Sequence, residues 1–226
     1  MRRLVTFFLL AAALLTAACR KDGVPAAAPE PRIETGDLLF VGIPMNYGDE
    51  GMAQAIADAT SDGSETNFIH TAILEVDEAG KVWVIDATIA HGVDRHPLDT
   101  LLSDFTLHRG DAKATFEVMR LTDNREAGQY VEQAKEMLGE EYDLYFLPDN
   151  GRHYCTELVY DVYVKPDGMH HFEVVPMNFK NAEGEMPSYW IRLFEKLGMA
   201  VPQGEPGTNP QQMHASENLV HVMFLN

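Results

Sequence analysis

Residues 67–77 and 81–87 are two runs rich in β-branched and apolar side chains, and only Glu78-Ala79-Gly80 separates them. A three-residue loop with a glycine joins antiparallel strands. It cannot join parallel ones, which need a crossover of about a dozen residues or more. The chain therefore contains an antiparallel hairpin, and the fold must be built on an antiparallel sheet. Alternation along the strands then sorts the side chains. His70, near the start of the first run, and Asp86, near the end of the second, both lie at the end of the ladder away from the turn, where they can be neighbours. Glu75, five residues from His70, falls on the opposite face, which ranks it below Asp86 as a partner for the imidazole.

The rest of the chain supplies both strands and helices. Residues 37–41 form a short apolar run behind the turn signal Gly36-Asp37, and residues 114–121 read as a further strand. Met52, Ile56 and Ala59 give residues 49–60 helical spacing, and residues 98–105 suit a short helix. In residues 124–138, Ala127, Tyr130, Val131, Ala134 and Leu138 share one face, with Asp123 or Asn124 as cap candidates and Gly139 as a stop. Another helix begins at about Cys155 and carries Leu158, Val159 and Val162 toward Tyr163, and residues 188–197 suit one more. Residues 201–210 form a Pro/Gly-rich loop of the kind that walls a site. With 226 residues, 46% of them hydrophobic, the chain can fill one core, and one α+β domain over residues 35–226 is the expectation.

The N-terminus has a different grammar. Arg2 and Arg3 precede residues 4–18, which carry no charge and end in Ala17-Ala18 before Cys19. That order of charge, apolar stretch and small residues is a secretory signal, and the stretch is too short for a comfortable membrane span. Residues 1–18 are therefore expected to be a signal peptide. Residues 15–19 also resemble a bacterial lipoprotein signal, with Thr16 where leucine is usual, so Cys19 is expected to be the lipidated first residue; ordinary cleavage near Ala18 is the alternative. Residues 19–34, rich in Ala and Pro, read as a flexible tether.

Loss of residues 1–18 leaves 15 basic against 35 acidic residues, a formal charge of about −20 compared with −18 for the full chain. Such a field repels nucleic acid backbones, so no nucleic-acid partner is expected. The membrane would be met only through the lipid. With Cys19 acylated or removed, Cys155 is the sole thiol and no intramolecular disulfide can form.

A lone cysteine at a helix start sits where unpaired amides and the helix dipole favour a thiolate, the attacking species in nucleophilic catalysis. Such a nucleophile needs a base within hydrogen-bond reach and a group that holds the base. His70 and Asp86 are the candidates. His91, His96, His153 and the pair His170-His171 invite a metal reading, but none has the paired spacing of a zinc site. No phosphate-binding glycine loop occurs, so neither metal nor cofactor is expected.

Five segments in order resemble the circularly permuted, YiiX/YebB-like group of NlpC-type papain-like hydrolases. They are Gly36-Asp37-Leu38-Leu39-Phe40; Asn67 through His70-Thr71-Ala72-Ile73, similar to a His-Val-Gly-Ile strand; Val84-Ile85-Asp86-Ala87; Leu138-Gly139-Glu140-Glu141-Tyr142, where Glu141 replaces a usual proline; and Tyr154-Cys155-Thr156-Glu157-Leu158-Val159, similar to a Cys-Ser-x-Leu-Val helix. The histidine strand precedes the cysteine, which is the mark of the permutation. The resemblance implies an α+β, papain-like fold in permuted order, its antiparallel sheet packed against the nucleophile helix. It implies a cysteine hydrolase with Cys155 as nucleophile, His70 as base and Asp86, where many members have glutamate or histidine, as orienter. Tyr142 and Tyr154 are the substrate-binding candidates. Amides of cell-wall peptides and acyl groups of lipids both remain open as substrates. A non-catalytic envelope lipoprotein, binding wall peptide or lipid in the same cleft, is the rival reading.

Overall fold

In chain order the computed structural model contains β1 (Leu38–Pro44), α1 (Met52–Thr60), β2 (Thr66–Val76), β3 (Val82–Thr88), β4 (Gly92–Pro97), α2 (Leu98–Asp104), β5 (Thr115–Leu121), α3 (Ala127–Glu136), α4 (Cys155–Val162), β6 (Val175–Pro176), α5 (Ser188–Leu197), β7 (Pro206–Gly207), α6 (Pro210–His214) and β8 (Leu219–Leu225). The structure describes residues 30–225 apart from 45, 46, 49 and 106–112. The segments read as signal peptide and lipidated cysteine, and most of the tether, lie outside the described residues.

The hairpin forms as its spacing requires, with Ile73 opposite Ile85 and Val76 opposite Val82. Gly80 takes a left-handed backbone at φ +80 in the turn, and the Asp77 carboxylate accepts from the N–H groups of Ala79 and Lys81, each at 2.9 Å. Among the described residues the hairpin sits in a six-stranded sheet of order β4-β3-β2-β1-β5-β8, and every pairing in it is antiparallel. This is an α+β architecture.

The Gly36-Asp37 signal ahead of β1 has a physical cause. Gly36 has φ +82, and a side chain there would stand 2.5 Å from the Ala127 Cβ, so only glycine lets α3 approach this closely. The Asp37 carboxylate is fully buried and accepts from Arg120 Nε at 2.6 Å and from the Glu34 N–H at 2.7 Å. Arg120 also reaches the Arg32 carbonyl at 2.8 Å and Glu34 at 3.0 Å, so these last residues of the expected tether are bound to the sheet.

Alternation splits the sheet's side chains into two cores. Leu38, Phe40, Ile73 and Ile85 meet Tyr130 and Val131 of α3 and Leu158, Val159 and Val162 of α4. Leu39, Val41, Ala72, Leu74 and Val84 on the other face meet Leu101 of α2. Helix α4, which begins at Cys155, thus packs on the antiparallel sheet. A third cluster, centred on Phe146, Phe179, Trp190 and Phe194, joins α1 and α5 beside the start of α4.

Helix α3 is shorter than its pattern suggests. Asp123 is spent on Arg125, at 2.7 and 2.6 Å, and does not cap it; Glu126 holds the cap position instead. Leu138, grouped by spacing with the buried face, is exposed because the helix has ended before it.

Candidate active site

Cys155 is the first residue of α4, and the extended backbone of Tyr154 (φ −91, ψ 169) leads into it. The first bond of the helix ladder runs from the Leu158 N–H to the Tyr154 carbonyl at 3.0 Å, so the Cys155 N–H has no ladder partner. The residue is buried at 5% exposure, yet it lines two cavities. Beneath it, Glu157 turns back to the Tyr154 N–H at 3.4 Å. Burial, joined by the Asp143 charge, lifts the Glu157 carboxyl to about 8.

His70 is delivered by a break in strand pairing. Val41 faces His70 and Gly42 faces Phe68, so Ile69 is an extra residue in β2. A bulge of this kind re-aims the side chains beside it. Gly42 makes it feasible, since a Cβ there would stand 2.3 Å from Thr66 Cγ2. Continuing the β2–β3 register sets Asp86 across from Ala72, which makes His70 its diagonal neighbour on the same face. The distance from His70 Nε2 to Asp86 Oδ2 is 2.6 Å, and both side chains are buried. That bond leaves Nδ1 as the nitrogen for Cys155, which lines the same cavity as His70. Phe105 stacks on the ring at 4.9 Å.

The expected residues are therefore together, and the structure adds one. His96 of β4 directs Nε2 to the other Asp86 oxygen at 3.1 Å, and its Nδ1 lies 3.2 Å from the Pro97 carbonyl. Asp86 is shared by two imidazoles. Burial works against its charge, but those two hydrogen bonds outweigh it and hold the carboxyl at about 2. Burial likewise opposes a charged His70. The Cys155 charge and the Asp86 bond prevail and raise His70 to about 10. His96 is raised as well, chiefly by its bond to Asp86.

Glu75 has other work, bound by Arg95 at 2.6 Å and Lys135 at 2.7 Å, in keeping with its place on the opposite face. Tyr142 borders both cavities, its hydroxyl aimed at the Met52 sulfur at 3.9 Å. Burial raises the Tyr142 phenol well above its ordinary value. Tyr154 contributes its ring to one cavity wall, while its hydroxyl accepts from the Thr208 N–H at 2.9 Å.

The other histidines are dispersed. His153 is held between Glu140 at 2.7 Å and Asp161 at 3.0 Å. His170 stacks on Tyr160, and His171 bonds the Tyr130 hydroxyl at 2.8 Å. Among the described residues no three His, Cys, Asp or Glu side chains gather as a metal site.

A family model described as permuted papain-like amidase enzyme, YaeF/YiiX, C92 family, matches residues 32–223. The chain is similar to the protein YiiX of Escherichia coli (strain K12), with 29% identity over 206 residues, 88% of this chain and 89% of the relative. The crystal structure titled metalloprotein yiiX from Escherichia coli O157:H7, DUF1105, is similar in fold, with a TM-score of 0.63 and 24% identity over 84% of this chain and 96% of that one.

Proposed function

This chain belongs to the permuted papain-like amidases of the YaeF/YiiX, C92 family, and from that membership and the site's geometry we propose that it is a cysteine amidase, cleaving an amide or ester by acyl transfer to water through Cys155, His70 and Asp86. One observation carries the reading. A cysteine at a helix start shares a cavity with a buried imidazole whose Nε2 is held by a carboxylate at 2.6 Å. Such an array has no use in a purely binding cleft.

His70, raised to about 10, holds its proton at neutral pH, and the reacting form of the site is the one in which the Cys155 thiol has given up its own. The Cys155 sulfur attacks the carbonyl carbon, and the charge that builds on oxygen meets the Cys155 N–H. The Tyr142 hydroxyl, which meets the Met52 thioether at 3.9 Å, is the second donor. The carbon–nitrogen or carbon–oxygen bond then breaks as His70 hands its proton to the leaving group. Neutral His70 next takes a proton from water, which attacks the thioester, releases the acid and restores the charged imidazole. The solved neighbour is titled a metalloprotein, but among the described residues no donor set gathers as a metal cluster, and every step proposed here is assigned to side chains.

We propose further that the chain is exported and held at a membrane through acylated Cys19. The test of the central reading is turnover of a panel of amides and esters. Wild type hydrolyses members of the panel, and Cys155→Ala and His70→Ala do not, while both variants keep the wild-type circular dichroism. A folded Cys155→Ala protein with wild-type turnover would refute Cys155 as the nucleophile, and a folded wild type that turns over no member of the panel would favour the binding lipoprotein.

A further inference from the structure

Four consecutive residues, Thr208-Asn209-Pro210-Gln211, reach both arms of the proposed catalytic pair. Thr208 bonds the residues on either side of Cys155. Its hydroxyl donates to Thr156 Oγ1 at 2.8 Å, and its N–H donates to the Tyr154 hydroxyl at 2.9 Å. All three side chains are buried, so water does not replace these bonds when they are lost. The backbone comes this close because residue 207 is glycine, where a Cβ would stand 2.9 Å from the Tyr154 hydroxyl oxygen.

Gln211 grips the other arm. Its Oε1 accepts from the Phe68 N–H at 2.8 Å, at the place where the β1–β2 register shifts and two residues before His70. The amide is oriented for this task. Its Nε2 donates to Asp62 Oδ2 at 3.0 Å and to the Ser64 hydroxyl at 3.2 Å, which turns the carbonyl oxygen toward the strand.

The spacer between the two grips is stiff. Asn209 accepts from the Gln212 N–H at 2.9 Å as the cap of α6, and Pro210 fixes the backbone at the first helical position.

The nucleophile and the base stand on different elements, α4 and β2, and their chemistry needs relative placement held to within about 0.5 Å. We propose that Thr208 and Gln211 are positioning residues, and that the segment between them is a brace that keeps the Cys155 helix start aligned with the His70 strand. The inference rests on Cys155 and His70 being the reacting pair.

The test is the rate at which iodoacetamide labels Cys155 in the full chain at neutral pH, with the label placed by peptide mass. In parallel, kcat and KM are measured on any panel member that wild type hydrolyses. A thiolate alkylates and a thiol does not, so labelling follows the reacting form of the site and needs no substrate. Thr208→Val keeps the volume and loses the hydroxyl, and Gln211→Met keeps the length and loses the acceptor. Each should slow labelling and lower kcat by about three- to tenfold, the range of one buried hydrogen bond, with KM unchanged. Thr208→Ser, which keeps the hydroxyl, should label at the wild-type rate. Slowing is the informative sign, because a loosened fold exposes the buried thiol and speeds labelling. Labelling of either folded variant at the wild-type rate or faster would overturn the brace, as would a serine variant as slow as the valine. A wild type that labels but hydrolyses nothing in the panel would remove the hydrolase reading, and the labelling rates would still decide the brace.

Discussion

Asp86 accepts from His70 and His96 at once, so its two oxygens fix the imidazole that faces the thiol and are themselves fixed. Asp86→Asn removes the charge and offers an amide in its place, which holds the wrong tautomer of His70 and lowers kcat by about 10²- to 10⁴-fold. The same change weakens the charged imidazole. His70 at about 10 keeps its proton through the neutral range, so the alkaline fall of the activity profile belongs near that value in wild type. In Asp86→Asn that fall should move to lower pH by about one to three units, measured as kcat/KM against pH. An unmoved alkaline limb would separate Asp86 from His70. Cys155, His70 and Asp86 were legible from the sequence because each sits in a segment with its own pattern. His96 was not. It could be singled out only as one of several scattered histidines, since nothing in Asp94-Arg95-His96 announces which neighbour each side chain will meet.

Helix α4 brings the proposed nucleophile and a cost together. Glu157, the third residue of that helix, has a carboxyl raised by burial and by Asp143 from 4.5 to about 8. A carboxyl raised in the folded state gives stability that is complete below about 4.5 and lost as pH climbs through about 8. Wild type should therefore lose more melting temperature between about pH 5 and pH 9 than Glu157→Gln, and the variant should be the more stable of the two at the alkaline end. A glutamine that melts lower at both ends would mean the carboxyl stabilises the helix start in its ionised form. The elements themselves divide by how their faces are used. The hairpin, α1, α2, α5 and the start of α4 follow from apolar period and turn residues. Strand β4 escapes such reading because its side chains pair with ions on both faces, His96 with Asp86 and Arg95 with Glu75, leaving little apolar alternation to detect. The five-residue α6 hides behind a Pro/Gly-rich loop, although Asn209 caps it and Pro210 opens it. The bulge at Ile69, which sets the aim of His70, leaves no trace in composition.

At the scale of the whole chain, the order of motifs along the sequence carries the permutation, and the family match over residues 32–223 spans all the strands and helices except the last residues of β8. Strand order was not legible, because β8 crosses from the C-terminus to pair with β5 and no local pattern encodes that partner. Export is a proposal about residues outside the described ones, and it has a plain readout: wild type should fractionate with membranes and Cys19→Ala should not. Finding both in the soluble exported fraction would leave cleavage without an anchor. The most direct test of the account weighs the intact protein during turnover. Quenched within the first turnover of an ester of the panel, the chain should gain the mass of that ester's acyl group. Fragmentation should place that mass on Cys155, and it should be absent from Cys155→Ala. Hydrolysis that proceeds with no acyl mass on Cys155, or with the mass on another residue, would contradict it.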